Sequence, residues 1–245
     1  MLDLQNRVAL VTGGSRGIGR AVALALAAAG AAVAVNYRER VEEAEAVAED
    51  IRKDGGRTAL YRADVSVRTS VQGMVCDVEA ELGPIDILVN NAGTAVVRGL
   101  DEITEEDFDR ALAVNLKSAF LCTQTVLPGM RVRRWGRIIN ISSIGARIGS
   151  GSVSVAYAAA KAGIEGLTRA YALRLASESV TVNAVAPGLV ETEMGKPLIE
   201  SGVATRIPVG RPGTGEEIAQ AVLLLVGNAY MTGQTIAVNG GSLFS

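Results

Sequence analysis

The sequence predicts an α/β fold: a single doubly wound parallel sheet with helices on both faces, spanning residues 1–245 as one domain. Three observations point there. Short apolar, β-branched runs alternate with longer helical patterns from one end to the other. Those runs lack the polar/apolar alternation of a sheet with one wet face, as strands covered on both sides do. No linker, repeat or low-complexity segment interrupts the pattern.

Taken in order, "RVALVT" (7–12) reads as a buried strand and "GIGRAVALALAAAG" as the helix after it, stopped by Gly30. "AAVAVNY" (31–37) is a second strand, and "RVEEAEAVAEDIRKDGG" an amphipathic helix with a Gly-Gly stop. "RTALYRAD" (57–64), "VRTSVQGMVCDVEAELG" and "IDILVNNAG" (85–93) give strand, helix, strand. Helices between Thr104 and Leu127 precede "GRIINISS" (136–143), a fifth strand. A helix carrying Tyr157 follows, then "VTVNAVAPG" (180–188), a helix near "GEEIAQAVLLLVG" and a last strand in "QTIAVNG". Right-handed crossovers place ligands at the carboxyl ends of such strands. The least regular stretch, 191–212, is either a substrate-covering lid or an ordinary connection.

Composition removes several classes of function. Hydrophobic residues make up 49 % of the chain, and a net charge of −2 offers no basic footprint for nucleic acid or an anionic membrane. The longest apolar run, 21–35, contains Gly30 and falls short of the roughly 20 residues of a membrane span. No basic, apolar leader precedes the first strand, and cytoplasmic residence is expected. Cys76 and Cys122 lack metal or redox spacing. The chain has no histidine, which excludes imidazole acid/base catalysis, Ser-His-Asp hydrolysis and His-ligated metal. No metal site is expected.

"VTGGSRGIGRA" follows the first strand and opens the first helix. Gly13, Gly17 and Gly19 allow a tight turn and close approach to a pyrophosphate, which a helix N-terminus attracts. Three glycines alone often mark only a βα turn; the strand before and the helix after favour dinucleotide binding. The second strand ends in Asn36-Tyr37-Arg38, with no acid until Glu39. NAD sites place a carboxylate there for the ribose hydroxyls, whereas Arg38 and Arg16 would donate to a 2′-phosphate. The alternative is two solvated arginines. NADP(H) is the expected cofactor.

Tyr157 and Lys161 stand one helical turn apart. A phenol of pKa about 10 is a poor acid or base at neutral pH unless a nearby ammonium stabilises its phenolate. Ser142 and Ser143 end the preceding strand, where one hydroxyl could meet a substrate carbonyl or simply satisfy backbone. Asn115, in "VNL", is either an inward residue holding a water or a structural one.

These pieces together resemble the short-chain dehydrogenase/reductases, with a Rossmann-type fold, over nearly the whole length. The matching motifs, in order, are TGGSRGIG (12–19), Asp64-Val65, NNAG (90–93), Asn115, the serine before YAAAK (157–161) and PGLVET (187–192). The likeness is greatest to the 3-oxoacyl-[acyl-carrier-protein] reductases and related carbonyl reductases. It implies Tyr157 as proton donor, Lys161 as tuner of its pKa and ligand of the nicotinamide ribose, Ser143 steadying the carbonyl, and Asn115 supporting a relay water. It further implies a cofactor site of Gly13, Ser15, Arg16, Gly17, Ile18, Gly19, Tyr37, Arg38, Asp64, Val65, Asn91, Ala92, Gly93, Tyr157, Lys161, Pro187, Gly188, Val190 and Thr192. Within it, Asp64 contacts adenine, 91–93 line the adenosine ribose, and 187–192 hold the nicotinamide end.

The sequence departs from the family in two places. Ser143 lies one residue farther from the tyrosine than usual, which an extra residue in "GSGSVSVA" explains; Ser143 is first choice and Ser142 the runner-up. "LLLVGNAYMTG" is shorter than usual.

The expected activity is NADPH-dependent reduction of a 3-oxoacyl thioester or similar ketone. The alternatives are sugar, polyol or steroid dehydrogenation and, from another class, a non-catalytic NADP-binding regulator. An acyl carrier protein is acidic, and Arg131, Arg133 and Arg134 would offer it a basic face. A second basic docking position of the family falls on Glu178. The resemblance also implies a homotetramer built on the helices around Asn115 and Tyr157 and on the C-terminal strand.

Overall fold

A computed structural model describes residues 2–95, 99–149 and 154–244. Seven strands form one sheet: β1 (Val8–Val11), β2 (Ala32–Tyr37), β3 (Thr58–Arg62), β4 (Ile85–Asn90), β5 (Gly136–Ile141), β6 (Val180–Pro187) and β7 (Thr235–Val238). Their order is β3-β2-β1-β4-β5-β6-β7 and every pairing is parallel. The order reverses between β1 and β4, and that crevice is where a doubly wound sheet binds ligands.

The helices are α1 (Gly17–Ala28), α2 (Val41–Lys53), α3 (Arg68–Glu81), α4 (Glu105–Leu112), α5 (Ser118–Arg133), α6 (Gly145–Ile148), α7 (Val155–Leu175), α8 (Lys196–Glu200) and α9 (Gly215–Gly227). The central strands are mostly apolar and buried because helices cover both faces, whereas the edge strands β3 and β7 are partly exposed. Ala9 and Val11 of β1 pack toward α1 and α9, while Val8 and Leu10 pack toward α3 and α5. Burying each large aliphatic side chain contributes about 1.5–3 kcal/mol, so the six-residue strands anchor the layers.

One irregularity has a visible cause. The β1–β4 register slips between Val8 and Ala9, leaving Asp86 without a strand partner. Its buried carboxylate accepts from the Val8 amide at 3.3 Å and is flanked by Arg7 at 3.5 Å and Arg133 at 3.6 Å.

Two local features position the site. Ser154 caps α7, its hydroxyl accepting from the Tyr157 amide at 3.3 Å, which sets the tyrosine in the first turn. Between α4 and α5 the helix widens into a π-helical segment, Ala113–Lys117, centred on Asn115. The stretch 191–212 holds α8 and a 3₁₀ turn, Val203–Arg206, with the remainder irregular. The additional residue expected in 149–156 falls largely on 150–153, outside the described residues.

Candidate active site

The glycine loop joins β1 to α1. Gly13 and Gly17 adopt positive φ angles of 61° and 53°, which L side chains rarely take. A Cβ at Gly19 would run into the Gly13 carbonyl and the Asn91 amide. Buried polar groups hold the loop from below. Asn36 Oδ1 accepts from the Gly13 amide at 3.2 Å, while its Nδ2 reaches Tyr61 and Ala63 carbonyls at 3.2 and 3.1 Å. Thr12 Oγ1 accepts from the amides of Asn91 and Ala92, both at 3.0 Å. Asn91 Nδ2 donates in return to the Thr12 and Gly13 carbonyls, each at 3.0 Å. Asn91, expected to line a ribose, therefore uses its side chain to brace the loop. The bracing role of Thr12 and Asn36 is not among the sequence expectations; a polar residue at the end of an apolar strand is the signal for it.

No acidic residue stands in the first turn of α1, so its amides present uncompensated positive ends. Ser15, within the loop, is buried, and Ile18 packs on the core. Thr192 lies over the loop, its methyl 3.2 Å from where a Gly17 Cβ would stand. Pro187 accepts from the Ile144 amide at 3.0 Å, Gly188 donates to Val238 at 2.9 Å, and buried Val190 bridges to Gly213. The cradle fits a dinucleotide: space where side chains would clash, and a helix N-terminus with no acid in its first turn.

Its arginines fall into two groups. Arg38 pairs with Glu39 at 2.6 Å and lies 3.9 Å from Asp64. Arg16 converges instead with Arg40 on Glu193, which pairs with Arg16 and lies 3.2 Å from Arg40. Arg40 went unnoticed because only the fold brings it beside the loop. Tyr37 ends β2, its carbonyl bound by the Ala63 amide. Asp64 is partly buried, which opposes its charge, but hydrogen bonds from Ser66 and the nearby Arg38 hold its carboxyl below the usual range. Val65 is buried in the core.

At the other end of the crevice the structure brings together Gly93, Asn115, Ser143, Tyr157 and Lys161. Lys161 Nζ, almost fully buried, donates to the Ile141 carbonyl at 2.8 Å, and burial pulls its pKa down to about 8. It stands 5.6 Å from the Tyr157 ring centre. Burial raises the Tyr157 phenol, and a hydrogen bond with Ser143 opposes that rise. In this state desolvation outweighs the expected lowering by the ammonium. Asn115 Nδ2 donates to the Thr94 and Ala111 carbonyls, both at 2.9 Å, and its Oδ1 accepts from the Thr94 amide at 3.1 Å. A Cβ on Gly93 would stand 2.8 Å from that Oδ1 and 3.5 Å from Lys161 Nζ, so glycine keeps this corner open.

The two serines separate cleanly. Ser143 reaches the phenol and accepts from the Gly145 amide at 3.1 Å. Ser142 is buried on the opposite side, 3.2 Å from the Lys161 carbonyl and 3.4 Å from Glu165.

The basic face is largely paired within the chain. Arg131 forks onto Glu178, 2.9 Å for one contact; Arg133 donates to the Ile85 carbonyl at 2.6 Å, and Arg134 to that of Ser177 at 2.8 Å.

A profile described as short chain dehydrogenase matches residues 7–201. Among curated proteins the chain is 43 % identical to a 3-oxoacyl-[acyl-carrier-protein] reductase of Staphylococcus aureus, over 95 % of this chain and 96 % of the relative. It is 42 % identical to the enzyme of that name from Pseudomonas aeruginosa, with both chains fully covered. An acetoacetyl-CoA reductase of Rhizobium meliloti is 43 % identical over 98 % of this chain and all of the relative. Among solved structures, a mutant short-chain dehydrogenase/reductase of Serratia marcescens superposes with a TM-score of 0.91 at 39 % identity, covering 97 % of this chain and 98 % of the other.

Proposed function

Because this chain belongs to the short-chain dehydrogenase family, we propose that it is an NADPH-dependent reductase that converts a 3-oxoacyl thioester to its 3-hydroxy product. The observation that carries the reading is the Ser143–Tyr157–Lys161 cluster at the carboxyl ends of β5 and β6, the same edge of the parallel sheet that carries the glycine loop. The names of the relatives support the substrate class.

NADPH, when bound, supplies the hydride. Gly13, Gly17 and Gly19 with the α1 amides hold its pyrophosphate, and Arg16 and Arg40 take the 2′-phosphate. Asp64 and the 91–93 backbone border the adenosine half, and Pro187–Thr192 border the nicotinamide. Ser143 Oγ donates to the substrate carbonyl and holds it beside the phenol. Tyr157 Oη gives its proton to the carbonyl oxygen as charge develops there. Lys161 Nζ stabilises the phenolate left behind, and the first turn of α7 adds its positive end. Asn115, whose side chain is committed to 94 and 111, shapes the corner through which a water would reach Lys161. The segment 191–212 covers the thioester. Acyl carrier protein is one carrier for such a substrate; Arg134 is its contact on a face where Glu178 already neutralises Arg131. The enzyme works as a cytoplasmic homotetramer.

Turnover of NADPH with acetoacetyl-CoA, a carrier-bound 3-oxoacyl thioester and free sugars tests the substrate class. Thioester reduction is expected; activity on sugars alone overturns it. Tyr157→Phe should lower kcat by at least about 10²-fold with NADPH affinity unchanged; an undiminished kcat overturns the proton-donor role.

A further inference from the structure

Glu165 is a buried carboxylate that this chemistry leaves unused. It stands one turn beyond Lys161 on α7, with 6 % of its surface exposed. Its oxygens lie 3.4 Å from Ser142 Oγ, 3.3 Å from Arg147 Nε and 3.9 Å from Arg169 Nη1. A carboxylate is costly to desolvate, and this one is matched from two directions. Arg169 belongs to α7 itself. Ser142 and Arg147 belong to the separate segment 142–148 that carries Ser143.

Resting on the reading that Ser143 orients the substrate carbonyl, we propose that Glu165 is a positioning residue that clamps this segment to α7 and so sets the Ser143–Tyr157 spacing. The two hydroxyls sit on different bodies: that of Tyr157 on the helix, which also carries Lys161, and that of Ser143 on the stretch leaving β5. Ser142 immediately precedes Ser143 and Arg147 follows it by four residues, so one carboxylate grips the segment on both sides. The Ile144 amide ties the same segment to β6 at Pro187; toward α7 the Ser142 hydroxyl is shared between the Lys161 carbonyl at 3.2 Å and Glu165 at 3.4 Å, and Glu165 alone adds the grip on Arg147. Catalytic groups need placement within roughly 0.5 Å, and a displacement of about 1 Å far from the chemistry can cost a hundredfold. Glu165 touches no reacting atom; it acts through Ser143.

The test is a double-mutant cycle on the full chain, with acetoacetyl-CoA as the ketone and NADPH. Glu165→Leu should lower kcat about tenfold, with the KM for NADPH within about twofold of wild type. Glu165→Gln, which keeps the shape and an acceptor for Ser142 and Arg147, should restore most of the rate. Arg147→Met, which opens the clamp from the segment side, should fall in the same direction. In a Ser143→Ala background, Glu165→Leu should cost less than about twofold more. A full tenfold loss in that background shows that Glu165 does not act through Ser143 and overturns the proposal, as does an unchanged kcat in the single variant. If Ser143→Ala alone leaves turnover intact, the assignment of Ser143 fails and the clamp fails with it. Should Glu165→Leu not fold, Arg147→Met crossed with Ser143→Ala makes the same comparison.

Discussion

Tyr157 and Lys161 are pushed in opposite directions by the same burial. The phenol is harder to ionise and the ammonium easier to lose, down to about 8. The sign decides which group limits the reaction at alkaline pH. In the proposed mechanism reduction requires Tyr157 protonated, and its raised pKa keeps it so past neutrality. Lys161 loses its charge first, and with it the stabilisation of the phenolate. We expect kcat/KM for NADPH, which reports the free enzyme, to be level at neutral pH. It should then fall about tenfold per unit as pH rises beyond about 8. A limb that begins only near the tyrosine range would assign the titration to Tyr157 instead. The Tyr/Lys spacing was legible because four residues are one helical turn. The balance of burial against charge was not, because desolvation depends on what surrounds the two groups in space.

At the scale of elements, the glycine loop, β2 and the start of 191–212 meet at Glu193. This carboxylate sits where Arg16 and Arg40 converge, and a 2′-phosphate on those arginines must displace or repel it. All three side chains are about half exposed or more, so each ion pair is worth little and the effect is modest. Glu193→Gln should tighten NADPH binding about three- to tenfold and leave NADH unchanged, measured by fluorescence titration. Arg40→Met should weaken NADPH selectively. Equal changes for both cofactors would place these residues outside the 2′-phosphate site. Arg38 was the legible candidate because it follows β2 directly; in the fold it pairs with Glu39, while Arg16 and Arg40 share Glu193. The π-helical segment at Asn115 likewise escaped the periodicity, since one widened turn barely alters an apolar pattern.

At the scale of the molecule, all seven strands share one sheet and both core clusters draw on it. If 1–245 is one domain, thermal unfolding followed by circular dichroism and by tryptophan fluorescence should coincide in one transition; two separated transitions would divide the chain. Outside the sheet, Leu112, Leu116, Phe120, Gly163, Leu167 and Ala170 line an apolar groove of about 480 Å³ between the α4–α5 pair and α7. In the tetramer that the family resemblance implies, we propose that a second copy covers this groove. Sedimentation should show a tetramer for the wild type and smaller species for Leu167→Glu; a monomeric wild type would refute the assembly.

The linear order of residues determined the strand and helix sequence, the parallel sheet, the glycine cradle and the Tyr157–Lys161 pair. Each is a local pattern: apolar runs, helical periodicity, turn-forming glycines, one-turn spacing. Tertiary structure supplied the reason that Ser143, the first choice from sequence, meets the phenol while Ser142 turns away, and it alone decided that Arg40 joins Arg16 and that Glu165 grips the segment beside them. Those outcomes depend on which side chains from distant strands and helices share one corner. Successive residues at a strand end point to opposite sides, so adjacent serines look alike in sequence and differ completely once the sheet has two faces.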